Sequence, residues 1–305
     1  MSQSISSPTR EAVSFTVAGT PVAAWHYPGT DGSCVVMAGG FAVTKEPATD
    51  LFAAALNSAG FGVLAFDYRH LGASGGTPRQ VLRIRGQLAD WDAAIAHAAT
   101  LPGVDPSRIA VWGFSASGGH VLNVAARHPG LAAAIAQTPN AGGLAAARSA
   151  MSHQTPGASL RLTARGLLDA VGGVFGRAPL TVPLGGAPGT VAVLTTPDVA
   201  DAQRALDPRG RHAETWPQQV AARSVLRLAA YRPGRAAARI RCPLLVLVCE
   251  NDTSAYPPAA VAAARRAPNA QLERLPGGHY APFLEAHEQA VALQTAFLAR
   301  HLRGA

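Results

Sequence analysis

The 305-residue chain is 48% hydrophobic and only 14% charged, which excludes a disordered chain and leaves room for a sizeable core, in one interrupted α/β domain or two small ones. Its formal net charge of +8 rests almost wholly on arginine, Lys45 being the only lysine. The arginines are scattered, with Arg232, Arg235, Arg239 and Arg241 as the nearest thing to a cluster and no aromatics interleaved at stacking spacing, which argues against a nucleic-acid partner.

The chain starts with a polar stretch, Met1 to Phe15, that has no apolar segment of signal-peptide length, and no run reaches the ~18 uncharged apolar residues of a membrane span. A cytoplasmic protein without a membrane partner is the expectation. Val13 to Val17 and Val22 to Tyr27 flank a turn with Gly19, Thr20 and Pro21 and read as an antiparallel hairpin. Cys34 to Ala38 is an apolar run ending in Gly39-Gly40, followed by a helical pattern over Leu51 to Ser58 and a strand from Phe61 to Phe66. An amphipathic stretch from Val81 to Ala99 then precedes a strand at Arg108 to Trp112. A helical stretch from Ala116 to Arg127 precedes another strand at Leu131 to Gln137. Strands alternating with helices predict an α/β fold with a mostly parallel sheet covered on both faces.

From about Pro139 to Ala238 the alternation stops. Short helical pieces such as Ser159 to Leu168 and Ala221 to Leu228 are broken by Gly172-Gly173, Gly185-Gly186 and several prolines. The strand rhythm resumes at Pro243 to Cys249, with a helix at Pro258 to Arg266, a short strand at Gln271 to Leu275 and a final helix from Phe283 to Leu302. The division expected is a core in two parts, 1–138 and 239–305, interrupted by a mainly helical cap, 139–238. Cys34, Cys242 and Cys249 lack metal-ligand spacing and read as small reduced core residues, so no metal is implied.

The chemistry concentrates at Val111-Trp112-Gly113-Phe114-Ser115-Ala116-Ser117-Gly118-Gly119-His120, a strand that turns through small residues directly into a helix. A serine at such a turn projects its hydroxyl above the sheet, beside the positive end of the helix. The segment Gly113 to Ser117 resembles the nucleophile elbow, G-x-S-x-G, of the α/β-hydrolase superfamily, with Ser117 in place of the last glycine. The resemblance spans the whole chain and implies an α/β-hydrolase fold. Its chain order of serine, acid and histidine is met by Ser115, by Asp252 after the run Leu244 to Cys249, and by His279 in Pro276-Gly277-Gly278-His279-Tyr280. It implies Ser115 as nucleophile, His279 as base and Asp252 as the acid that holds the imidazole, with Glu250 as the competing acid. It also implies that the amides of Ala116 and Phe41 form an oxyanion hole, although Gly39-Gly40-Phe41 stands where the family often has His-Gly-x. Asp67-Tyr68-Arg69 resembles the family's structural D-x-R loop. His70 and His120 are left outside the triad, His120 because it would point into the packing between helix and sheet.

The arrangement is similar to bacterial hydrolases loosely grouped with serine aminopeptidases, X-Pro peptidases and dienelactone-hydrolase-like proteins. The function it implies is cleavage of a carboxylic ester of a fairly apolar small molecule through a Ser115 acyl-enzyme, with no cofactor. Arg161, Arg165, Arg223 and Arg227 in the cap tilt the substrate toward neutral or anionic esters and away from cationic peptides. Leu160, Leu162, Leu167, Leu168, Val171, Val174 and Phe175 either line an acyl pocket or pack the cap onto the body. A thioesterase, an amidase or peptidase, or an acyl-transferring cyclase with the same triad is the alternative, and a non-catalytic ligand-binding homologue is the alternative of another class. A dehalogenase or epoxide hydrolase would need a carboxylate where Ser115 stands. The oligomeric state is left open.

Overall fold

The computed structural model describes residues 9–303; residues 1–8 of the polar N-terminal stretch and the last two residues lie outside the described part. Strands β1 (Glu11–Val17) and β2 (Thr20–Tyr27) form an antiparallel hairpin. There follow β3 (Cys34–Ala38), α1 (Lys45–Ser58), β4 (Gly62–Phe66), α2 (Ile84–Ala98), β5 (Ile109–Phe114), α3 (Ala116–Arg127) and β6 (Ala133–Gln137). Next come α4 (Gly143–Ser152), α5 (Pro156–Val174), β7 (Thr181–Pro183), α6 (Val199–Leu206), β8 (Gln219–Ala221) and α7 (Ala222–Ala230). The chain closes with β9 (Leu244–Cys249), α8 (Pro257–Arg266), β10 (Ala270–Leu275) and α9 (His287–Leu302).

Eight strands make one sheet in the order β1-β2-β4-β3-β5-β6-β9-β10, parallel from β4 to β10. Its central strands are apolar at nearly every position because both faces are covered, so side chains of both parities are buried. One parity, with Val36, Leu64 and Val111, packs against α2, α3 and α8; the other, with Val35, Val63 and Trp112, packs against α1 and α9. A buried polar line crosses the second layer, where Trp112 Nε1 donates to Gln294 of α9 at 2.7 Å and Gln294 donates to Gln137 of β6 at 2.6 Å.

The segment between β6 and β9 carries four helices and the small antiparallel pair β7-β8, outside the main sheet. Several element boundaries differ from those expected, α2 beginning at Ile84 and α9 at His287, and two differences have a visible cause. Helix α1 begins at Lys45 rather than near Leu51, because the carboxylate of Asp67 accepts both the backbone N–H of Lys45, at 2.7 Å, and its ammonium, at 2.8 Å. Helix α5 runs through Gly172-Gly173 rather than breaking there: a Cβ at Gly173 would lie 1.5 Å from the guanidinium of Arg223, so the glycine admits a neighbour instead of ending the helix.

Candidate active site

β5 ends at Phe114, between β3 and β6 in the middle of the sheet, and the chain turns at once into α3. Ser115 occupies this turn with φ 58° and ψ −116°, a conformation costly for an L-residue. Gly113 makes the turn possible: a Cβ there would stand 2.4 Å from the carbonyl oxygen of Ser117. Ser117 takes up the family's glycine position without strain, since it is already helical and its hydroxyl is bonded. The Trp91 indole donates to the Tyr68 hydroxyl, which donates to Ser117 Oγ, which donates to the Gly39 carbonyl. The loop Gly39-Gly40-Phe41 is thereby tied to the start of α3.

The turns after β9 and β10 bring Asp252 and His279 to the same edge of the sheet. His279 is buried; its Nδ1 lies 2.8 Å from Asp252 Oδ2 and its Nε2 lies 3.0 Å from Ser115 Oγ. The other oxygen of Asp252 accepts the backbone N–H groups of Ser254 and Ala255, both at 2.8 Å, which fixes the carboxylate. Burial alone would lower the His279 pKa, but the charge and hydrogen bond of Asp252 outweigh it, with a further contribution from Asp198, and the imidazole is held above its ordinary range. Glu250 is exposed and outside this line. His120 sits between Tyr231 at 3.0 Å and Gln87 at 3.3 Å, and burial pushes it down to about 3. His70 bonds the Pro78 carbonyl at 3.0 Å, away from Ser115.

Gly40 abuts the turn at Ser115, a Cβ there falling 3.3 Å from the Ser115 Cβ. Among the described residues, neither the Phe41 nor the Ala116 amide donates to another protein group. With α3 beginning at Ala116, this corner offers free N–H groups to a developing negative charge. No group of three or more His, Cys, Asp or Glu able to hold a metal occurs among the described residues.

Above Ser115 opens a cavity of about 760 Å³, of a size that suits a small organic molecule. Its walls include Phe41, Phe114, Leu184, Val199, Leu206 and Trp216, so the segment between β6 and β9 closes one side. The arginines that suggested an anionic substrate do not line it. Arg223 pairs with buried Asp169 at 3.1 Å, Arg227 reaches the Leu82 carbonyl at 3.3 Å, and Arg161 and Arg165 are exposed. Of the apolar residues weighed for an acyl pocket, Leu162 is partly buried against the core, but Leu160, Leu167, Leu168, Val171, Val174 and Phe175 neither line the cavity nor pack inward; they face solvent.

Sequence reasoning missed Asp198. It precedes α6 where an N-cap stands, yet its side chain does not cap that helix. One oxygen accepts the backbone N–H of His279 at 3.1 Å; the other accepts the N–H of Thr253 at 2.8 Å and the hydroxyls of Thr253 and Ser254 at 2.5 and 3.1 Å. This carboxylate therefore joins the inserted segment to both loops that carry Asp252 and His279. The only trace in the sequence is Gly278, whose absent Cβ would fall 2.3 Å from Asp198 Oδ1. Trp216 makes a second tie, donating from its indole to the Ala42 carbonyl at 3.0 Å beside the Phe41 loop.

A family model described as the alpha/beta hydrolase family matches residues 28–294. Among relatives by sequence, the quorum-quenching protein AidA of Acinetobacter baumannii is 38% identical over 267 residues, 87% of this chain and 86% of that protein. A thiohydrolase of Eupenicillium brefeldianum is 26% identical over 251 residues, 80% of this chain and 78% of that one. Among solved structures, the alpha/beta hydrolase GrgF from Penicillium sp. sh18 superposes with a TM-score of 0.80 at 22% identity, covering 97% of this chain and 99% of its own. That last likeness speaks for the fold alone, but the family model and the Acinetobacter relative each span most of the sequence, and this chain belongs to the α/β hydrolase family.

Proposed function

We propose that the protein is a serine hydrolase that cleaves a neutral, fairly apolar carboxylic ester through a Ser115 acyl-enzyme. The observation that carries this reading is the continuous hydrogen-bonded line from Ser115 through His279 to Asp252, ending at the floor of a cavity whose lining residues include no arginine, lysine, aspartate or glutamate. Ser115 Oγ attacks the ester carbonyl as His279 Nε2 takes its proton. Asp252 keeps the imidazole Nδ1 protonated and stabilises the imidazolium. The amides of Phe41 and Ala116 receive the oxyanion. His279 then passes the proton to the departing alkoxide, the alcohol leaves, and a water deprotonated by His279 attacks the Ser115 ester to release the acid. The neutral lining replaces the wider expectation of neutral or anionic esters, since a carboxylate substrate would find no arginine in the cavity.

A thioester is the second reading, favoured by the relatives named thiohydrolases, among them the Eupenicillium protein; the same triad serves it, with a thiolate as leaving group. The test is to treat the pure protein with a fluorophosphonate, locating the label by mass spectrometry, and then to run matched esters, thioesters and lactones of one acyl chain. Labelling confined to Ser115 and abolished in Ser115→Ala and His279→Ala is expected, with the highest kcat/KM on the oxygen esters. Folded protein that takes no label overturns the serine mechanism, and a clear preference for thioesters moves the second reading to the front.

A further inference from the structure

Helix α5 is packed inside out. The face it turns to the body is small or polar apart from the partly buried Leu162: Ala158, Gly166 and Asp169 are buried, and Gly166 lets α7 come so close that a Cβ there would meet Leu226 at 3.1 Å. The opposite face carries Leu160, Leu167, Leu168, Val171, Val174 and Phe175, each between 56% and 83% exposed. Five of them lie on α5 and Phe175 caps its end, and their spacings of three, four and seven residues place them in one stripe along the helix, the reverse of the usual pattern, in which the apolar face of a surface helix is buried. At about 200 Å² for a whole apolar side chain, the six residues expose roughly 800 Å², more than the largest apolar patch of an ordinary monomer and close to what each partner contributes to a standard protein interface.

We propose that this face is covered by the same face of a second copy, the two α5 helices lying antiparallel about a two-fold axis between Leu167 and Leu168. The stripe is self-complementary in that register. Leu167 meets Leu168, Leu160 meets Phe175, and the larger Val171 lies opposite the small Ala164. Charge agrees with it. The one acid of α5, Asp169, is buried against Arg223, so no carboxylate is brought against its own copy. Arg161 of one copy comes level with Val174 of the other, at the C-terminal end of the partner helix, where the helix dipole favours a cation.

The test uses the whole protein in light scattering and sedimentation velocity at tens of micromolar, together with cysteine scanning. The three native cysteines are free and buried, so an introduced thiol reports alone. A dimer is expected, and Leu167→Arg combined with Val171→Arg weakens it at least about a hundredfold, since guanidinium groups would be buried without partners, while circular dichroism and ester turnover stay as in the wild type. Under mild oxidation Leu167→Cys closes an intermolecular disulfide. Leu160→Cys does not, because an antiparallel pair holds its two copies roughly 22 Å apart along the helix, beyond disulfide reach. A wild-type monomer at these concentrations overturns the proposal, as does a dimer that survives the arginine pair and fails to cross-link through Leu167→Cys. A monomer that co-sediments with phosphatidylglycerol vesicles also overturns it and assigns the face to a lipid surface.

Discussion

Replacing Asp198 by asparagine keeps the shape of the side chain and removes its charge from a site where it serves two loops at once. The carboxylate accepts four hydrogen bonds, from the backbone N–H groups of His279 and Thr253 and from the hydroxyls of Thr253 and Ser254. An amide presents only one oxygen, so its NH2 must face either the His279 N–H or the Thr253 N–H, donor against donor. Leaving one such buried donor unsatisfied costs about 1–3 kcal/mol, which for a chain of this size lowers Tm by roughly 2–5 °C. That much a structural strut would also do. The separate signature is electrostatic. The charged groups that face His279 are Asp252 and Asp198, and both favour the imidazolium. With Asp198 neutral the His279 pKa falls. Because His279 must be neutral to accept the Ser115 proton, the acid limb of kcat/KM moves to lower pH. The assay is ester hydrolysis by wild type and Asp198→Asn from about pH 5 to about pH 9, beside thermal melts. A lower melting temperature with superimposed pH profiles would reduce Asp198 to a strut, and an acid limb that moves upward would refute the reasoning.

Asp252→Asn, which disturbs the tautomer of His279, is expected to cut kcat about 10⁴-fold, whereas Glu250→Gln, being exposed, leaves kinetics unchanged; equal losses in the two variants would contradict the assignment of the acid. In Ser117→Ala the Gly39 carbonyl and the Tyr68 hydroxyl lose a shared partner, at a cost of about 1–3 kcal/mol. Because Gly39 begins the loop that presents the Phe41 amide, kcat drops while KM holds, and an unchanged kcat would show that the loop is positioned without Ser117. Buried His120, held neutral down to about 3, gains a proton on unfolding, so stability declines as the pH falls below about 6.5 toward 3, by up to about 1.4 kcal/mol per pH unit. Denaturant titrations of wild type and His120→Gln at several pH values should give slopes that differ by one proton, and parallel slopes would count against it.

The fold was legible in the sequence because it depends on local pattern, and the three residues of the hydrogen-bonded line because that pattern resembles the α/β-hydrolase family's. Fully apolar strands alternating with amphipathic helices specify a mostly parallel sheet covered on both faces. A glycine two residues before a serine at a strand-helix junction specifies a turn that no bulkier residue allows, and Gly113, against the Ser117 carbonyl, shows why. Asp252 and His279 follow strand ends that the periodicity locates, and the resemblance to the family is what singles them out. What escaped the sequence depends on contacts between segments far apart in the chain. Asp198 reads as an ordinary helix-capping residue until the tertiary structure sets its carboxylate against an amide 81 positions away. The arginines counted toward the cavity are drawn off by Asp169 and by solvent. The leucines of α5 carry a helical period that says there is an apolar face but not which way it turns, and only the close crossing of Gly166 over α7 decides that it faces outward.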